Sequence, residues 1–167
     1  MPKFIKQTNP FNCGPTAILN ALKWAGMSDA TLSLIPTLEF SCRLVNFEEG
    51  DVGTTDHDFD RVIRYAGQMY YTVVRPETVT IGGIDNHLES GGSIAIGYVG
   101  YGSTDGGHFC FISEKVGSSY AFINDSKDKT KILRRRKTMI QLLRSPKTLL
   151  WFLSKKPTVN KSENPDL

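Results

Sequence analysis

The sequence predicts an α+β protein. Three observations point there: a helix-patterned segment right after a short polar N-terminal stretch, β-branched and aromatic runs concentrated in the second half, and a tight-turn signal joining two of those runs. A helix that comes first, followed by strands that return late in the chain, suits a helix packed on an antiparallel sheet.

The first helix is expected over Asn12–Gly26. Pro15 falls in the first turn, where a missing N–H costs nothing, and Ile18, Ala21, Leu22 and Ala25 recur at helical spacing before Gly26. Ser28–Gly53 carries weaker signals, with short helical or irregular pieces expected around Leu32–Ile35 and Cys42–Phe47. Thr54-Thr55-Asp56 reads as a helix start, with acidic residues in the first turn. Phe59, Val62, Ile63 and Ala66 form the apolar face up to Gly67.

Met69–Val74 and Ser93–Val99 read as strands, with a short helix over Ile84–Ser90 between them and a glycine-rich loop over Gly100–Gly107 after them. His108–Val116 and Ser119–Asp125 make a hairpin turning at Gly117-Ser118. Arg135–Leu143 is expected to be helical and Leu149–Leu153 to form the last strand. Length and pattern together fit a single domain over 1–156, followed by a polar tail over 157–167 with little reason to be ordered.

Composition excludes several classes. At 40% hydrophobic and 22% charged the chain is an ordinary globular one, neither disordered nor fibrous. No apolar run suits a signal peptide or a membrane span, and Leu149–Leu153 is far too short to cross a bilayer. Three cysteines, widely spaced and without a Cys-x-x-Cys pair, argue against a disulfide framework or structural zinc, and favour a reducing, cytoplasmic setting. The net charge of +3 is too small to mark a nucleic-acid binder, and Arg134-Arg135-Arg136-Lys137 lacks the aromatic platform such a partner would need. No cofactor is expected. His57 and His87 have no recognised metal-ligand spacing with the nearby aspartates, and both read better as a solvated helix start and a satisfied histidine.

One constellation carries chemistry. Cys13 stands where a helix begins, and there the unpaired N–H groups and the helix dipole favour thiolate over thiol. Gly14 leaves room for a substrate carbonyl. A thiolate needs a proton partner, and His108 opens a strand directly after Gly106-Gly107, with apolar Phe109, Phe111 and Ile112 behind it. If Gly117-Ser118 form a two-residue turn, residue numbers across the hairpin keep a fixed sum. Cys110 then faces Asp125, and the Asp125 side chain lies on the His108 face while Asn124 points away. A one-residue slip reverses that assignment, so Asp125 and Asn124 both stand as candidates for orienting the imidazole.

The run Gln7-Thr-Asn-Pro-Phe-Asn-Cys13-Gly-Pro-Thr-Ala-Ile-Leu-Asn-Ala-Leu resembles the opening motif of the bacteriocin-processing (double-glycine) cysteine peptidases and their stand-alone relatives, within the papain-like group. Gly107-His108-Phe-Cys-Phe-Ile and Phe122-Ile-Asn-Asp125 are similar to that family in order and spacing. The resemblance implies a papain-like fold with Cys13 as nucleophile, His108 as proton shuttle, Asp125 as its orienting group and Gln7 as a donor to the oxyanion. Ser126 stands where the family usually has proline, and no Walker-type phosphate loop is present, which points away from leader cleavage coupled to export. The expected activity is hydrolysis of a peptide or isopeptide bond in a protein or peptide substrate, through an acyl-thioester. An acyl- or amine-transferase on the same fold and a non-catalytic peptide-binding module are the rival readings. Cys110, alternating with phenylalanines, reads as packing, and Cys42 has no partner motif.

Overall fold

The computed structural model describes residues 2–42, 53–99, 107–126 and 128–157. Within them lie five α-helices, a 3-10 turn and a six-stranded antiparallel sheet. The helices are α1 (Cys13–Ala25), α2 (Ile35–Ser41), α3 (Asp56–Ala66), α4 (Ile81–Glu89) and α5 (Arg136–Leu143). The strands are β1 (Tyr71–Val74), β2 (Ser93–Val99), β3 (Gly107–Val116), β4 (Ser119–Ile123), β5 (Lys131–Arg135) and β6 (Leu149–Lys155), in the spatial order β1-β6-β2-β3-β4-β5. The predicted α+β class, with an N-terminal helix on an antiparallel sheet, is the observed one.

The sheet is covered on both faces. On one side α1, α2 and α3 pack against Ala95, Phe109, Phe111, Ile123, Trp151 and Leu153. On the other, Ile84 and Leu88 of α4 and Met139 and Leu142 of α5 meet the intervening residues, among them Ile94, Ile96, Cys110 and Phe122. Two covered faces explain why β2 is buried almost throughout instead of alternating. Phe59 of α3 stacks on Phe109 of β3 with ring centroids 4.3 Å apart, which ties that helix to the strand carrying His108.

Helix α1 lies deep in this arrangement, with only Lys23 and Ala25 not fully buried. It stops at Gly26, whose φ of 99° is left-handed, and the Met27 amide closes back onto the Leu22 carbonyl at 3.1 Å. Thr55 caps α3 by accepting from the Asp58 amide.

The element boundaries differ from the expected ones for identifiable reasons. Helix α4 starts at Ile81 and not at Ile84, because the Thr80 hydroxyl caps it through the Gly83 amide at 3.0 Å and so carries two glycines into the first turn. Strand β1 starts at Tyr71 because the amides of Tyr70 and Tyr71 turn back to the Gly67 carbonyl. Strand β5 was not expected, and Arg135 caps α5 where the sequence suggested its first residue. The short helical pieces near Leu32–Ile35 are the 3-10 turn and α2, which ends at Ser41. The remainder of Cys42–Phe47, the Gly100–Gly107 loop up to 106, and the tail beyond 157 lie outside the described residues. Among the described residues no helix is long and apolar enough to cross a membrane.

Candidate active site

The approach to α1 is a tight polar turn. Asn9 Oδ1 accepts from the amides of Phe11 and Asn12 at 2.9 and 3.0 Å, and the fully buried Asn12 side chain donates to Thr8 and Glu39. This turn delivers Cys13 to the first position of α1. Cys13 is 7% exposed, and it lines a cleft of about 830 Å³ whose walls include Thr54, Asp56, Tyr98, His108, Lys147 and Leu149. That volume is in the range of ligand sites, about 300–1,000 Å³.

His108, near the start of β3, lines the same cleft, and its imidazole and the Cys13 thiol lie close enough for each to shift the other's titration. Burial pushes the Cys13 thiol up. The hydrogen bond and charge of His108, with the amides of Phe109 and Gly14, outweigh it and hold the thiol below its ordinary value. Burial pushes His108 down, and its contacts with Cys13, the Asn124 carbonyl and the Asp125 charge leave it raised. Both shifts favour the same species, a thiolate beside an imidazolium.

The other ring nitrogen of His108, Nε2, meets the main-chain oxygen of Asn124 at 2.7 Å. A carbonyl only accepts, so the proton stays on Nε2 and Nδ1 is left for the sulfur. Asp125 does not make this bond. Its carboxylate is held by Arg134 Nε at 2.7 Å and by the Tyr98 hydroxyl, while the Tyr98 ring meets that of His108 edge-on at 5.8 Å.

The fixed-sum register therefore needs correction. Val116 pairs with Ser119 as expected, but β3 bulges between Ile112 and Glu114, and beyond the bulge Ile112 pairs with Phe122 and Phe111 with Ile123. The one extra residue shifts every later partner, so Cys110 does not face Asp125 across a ladder. Asn124 then leaves the strand with a left-handed φ of 64°. The bulge and this turn together bring a donor atom of Asp125 within 4.8 Å of one on His108 and one on Cys110.

Gln7 is engaged with Asn124 and Asn9 and is not among the residues that line the cleft. Its amide donates to Asn124 Oδ1 at 2.8 Å, its Oε1 accepts from Asn124 Nδ2 at 3.0 Å, and its Nε2 donates to the Asn9 carbonyl at 2.9 Å. The second N–H on Nε2 is left over from these bonds.

The cluster of His108, Cys110 and Asp125 has the donor types of a metal site, yet its donors are committed elsewhere. His108 Nε2 bonds Asn124, Asp125 bonds a cation, and burial pushes the wholly buried Cys110 thiol well above its usual value. His57 is exposed at the start of α3. His87 Nε2 lies 3.0 Å from the carbonyls of both Ser93 and Leu153, a satisfied histidine as the sequence suggested.

Sequence reasoning missed Tyr98, Arg134 and the Asn124 carbonyl. Tyr98 alternates with Ile94 and Ile96 and reads as core, although it sits directly opposite His108. Arg134 was submerged in a run of four basic residues. The only hint was that it shares a strand face with Ile132.

A six-stranded antiparallel sheet with a buried helix presenting a thiol to a strand-borne imidazole defines the papain-like class of folds. Among solved structures, the chain is similar to the peptidase domain of Streptococcus ComA, a bi-functional ABC transporter involved in a quorum-sensing pathway. The TM-score is 0.65 at 11% identity, over 93% of this chain and all of that one. It is likewise similar to a Bacillus anthracis protein described as a C39-like peptidase, with a TM-score of 0.61 at 12% identity, over 92% of this chain and 94% of the other. The chain thus has the fold of the C39-type cysteine peptidases. No family model and no curated sequence matches it.

Proposed function

We propose that this chain is a cysteine peptidase or isopeptidase, with 1–156 as its working unit and a peptide or protein as its substrate. The observation that carries this reading is the closeness of the Cys13 thiol and the His108 imidazole, two residues that line one cleft.

The Cys13 thiolate attacks the scissile carbonyl carbon, forming the C–S bond as the carbonyl electron pair moves to oxygen. The amides at the start of α1 and the remaining Nε2 proton of Gln7 stabilise that oxyanion. Collapse breaks the C–N bond, and the departing amine takes the proton from His108. Water then adds to the acyl-thioester, giving its proton to His108, and the thiolate leaves. Asp125 supports the imidazolium through its charge, held in place by Tyr98 and Arg134. No metal or cofactor enters these steps. The three cysteines are all free, which suits work in a reducing compartment such as the cytoplasm.

The test is incubation of the wild type and Cys13→Ala with a mixed peptide library, with and without an added primary amine, read by mass spectrometry. New peptide termini made by the wild type alone are the expected result. Equal cleavage by both proteins overturns the reading, and products carrying the added amine in place of water convert it to a transferase.

A further inference from the structure

We propose that Asn124 is a positioning residue for the His108 imidazole, acting through its main-chain carbonyl, and that the segment around Gln7 holds that carbonyl in place. This rests on the assignment of Cys13 and His108 as nucleophile and base.

Asn124 is the one non-glycine with a positive φ among the described residues, and it is 2% exposed. A left-handed conformation is costly for a residue that carries a side chain, and asparagine is among the few that adopt it as single residues. Such strain persists only where the surroundings over-determine it. Here they do. The Asn124 amide donates to the Thr130 carbonyl at 2.8 Å, and the side chain gives and receives one hydrogen bond each with Gln7. The carbonyl accepts from His108 Nε2. Every polar group of the residue is thereby used, and three of the four bonds fix the fourth.

The twist at Asn124 also explains why the hairpin ends where it does. Strand pairing stops at Phe111 and Ile123, and the next carbonyl along β4 serves the imidazole. The carbonyl helps to raise the basicity of the ring and removes its rotational freedom. It keeps the neutral ring in the Nε2–H tautomer, the one that presents Nδ1 as base to the sulfur. Asn124 thus aims the ring and, together with the Asp125 charge, favours its protonated form. Gln7 and Asn124, from opposite ends of the domain, make the N-terminal segment part of the machinery before Cys13 is reached.

The experiment follows His108 directly, in protein labelled with 15N-histidine, alongside iodoacetamide alkylation of Cys13 across pH. In the wild type, the neutral ring is expected as the Nε2–H tautomer, with that proton protected from solvent exchange. Asn124→Gly keeps the carbonyl and adopts the same φ without strain, but loses both side-chain bonds to Gln7. In this variant the Nε2 proton should exchange at least about tenfold faster, and alkylation at neutral pH should fall about three- to tenfold, the worth of a lost orienting hydrogen bond. Asn124→Asp keeps an acceptor for the Gln7 amide and should fall between the two. A wild-type ring found as the Nδ1–H tautomer overturns the proposal, as does a folded Asn124→Gly with wild-type exchange and an unchanged alkylation profile. Should the glycine variant not fold, the wild-type spectrum and Asn124→Asp decide the question. A protected Nε2 proton together with an unreactive Cys13 would sink the peptidase reading while leaving the positioning role of Asn124 standing.

Discussion

Arg134 Nε donates to Asp125 Oδ2 over 2.7 Å, with the carboxylate 4% exposed and the guanidinium 41% exposed. The acid beside the imidazole is therefore clamped from the far side, by a strand at the edge of the sheet. Asp125→Asn should remove a through-space contribution and not an imidazole hydrogen bond. The expected loss in kcat/KM is about tenfold to a hundredfold, against about 10⁴-fold where the carboxylate itself bonds the ring. The alkaline limb of the pH–rate profile should move down, because the charge that helps to raise His108 is gone. A loss near 10⁴ would show that Asp125 swings onto His108 during turnover.

Arg134→Ala leaves that buried carboxylate with Tyr98 as its remaining side-chain donor. The expected cost is about 1–3 kcal/mol of stability, toward the lower end because the guanidinium is partly solvated, and thermal denaturation measures it. Arg134→Lys keeps the charge but not the planar donor and should recover only part of the loss.

The three thiols should differ sharply in reactivity. Burial pushes Cys42 up to about 12 and Cys110 well above its usual value, while Cys13 is held low and faces the cleft. Peptide mapping after brief iodoacetamide treatment at neutral pH should find the label on Cys13 and leave the other two unmodified until the protein unfolds.

The same shifts set the pH dependence. The thiolate forms as pH rises through a midpoint below the ordinary 9.0 of Cys13, and the imidazolium is lost as pH rises through one above the ordinary 6.5 of His108. Hydrolysis should therefore be bell-shaped, since it needs both charged forms. His108→Ala removes the largest of the influences that lower the thiol and leaves burial in place. Its alkylation midpoint should rise by at least about one unit, equivalent to about 1.4 kcal/mol.

Gly14 was expected to leave room for a substrate carbonyl, but the space beside its Cα is filled by Thr54. A Cβ there would come within 2.4 Å of Thr54 Oγ1 and 2.8 Å of Thr54 Cβ. Gly14→Ala should cost about 1–3 kcal/mol by overpacking and displace the cleft wall. Pairing it with Thr54→Gly should restore stability, as a double-mutant cycle by thermal denaturation would record.

Much of this molecule was legible in the residues. The ends of α1 were marked by Pro15 and Gly26, β2 was readable to the residue, and Cys13 and His108, singled out from their local settings, line one cleft. What was hidden shares a physical character. Strand β5 is a sheet edge with charge at Lys131, Arg134 and Arg135, and Lys131 and Arg134 find their carboxylates on other segments, so it reads as solvated surface. The bulge between Ile112 and Glu114 falls where the apolar run gives way to Ser113-Glu114-Lys115, a change that reads as a strand becoming solvated, yet it alters which residues meet across the hairpin. The left-handed Asn124 is a conformation that asparagine permits but does not announce. The sheet and the setting of Cys13 are encoded locally; the groups around the His108 imidazole come from long-range closure.

Helix α1 begins inside the protein, and Asn12 at its head makes no side-chain cap bond. The Gly14 amide is among the groups that hold the Cys13 thiol below its ordinary value. A thiolate there would face the unpaired amides of the first turn and stand in for the missing cap. Alkylation or oxidation would remove that charge from the helix end, so a chemically spent molecule should be looser at the cleft floor than a fresh one.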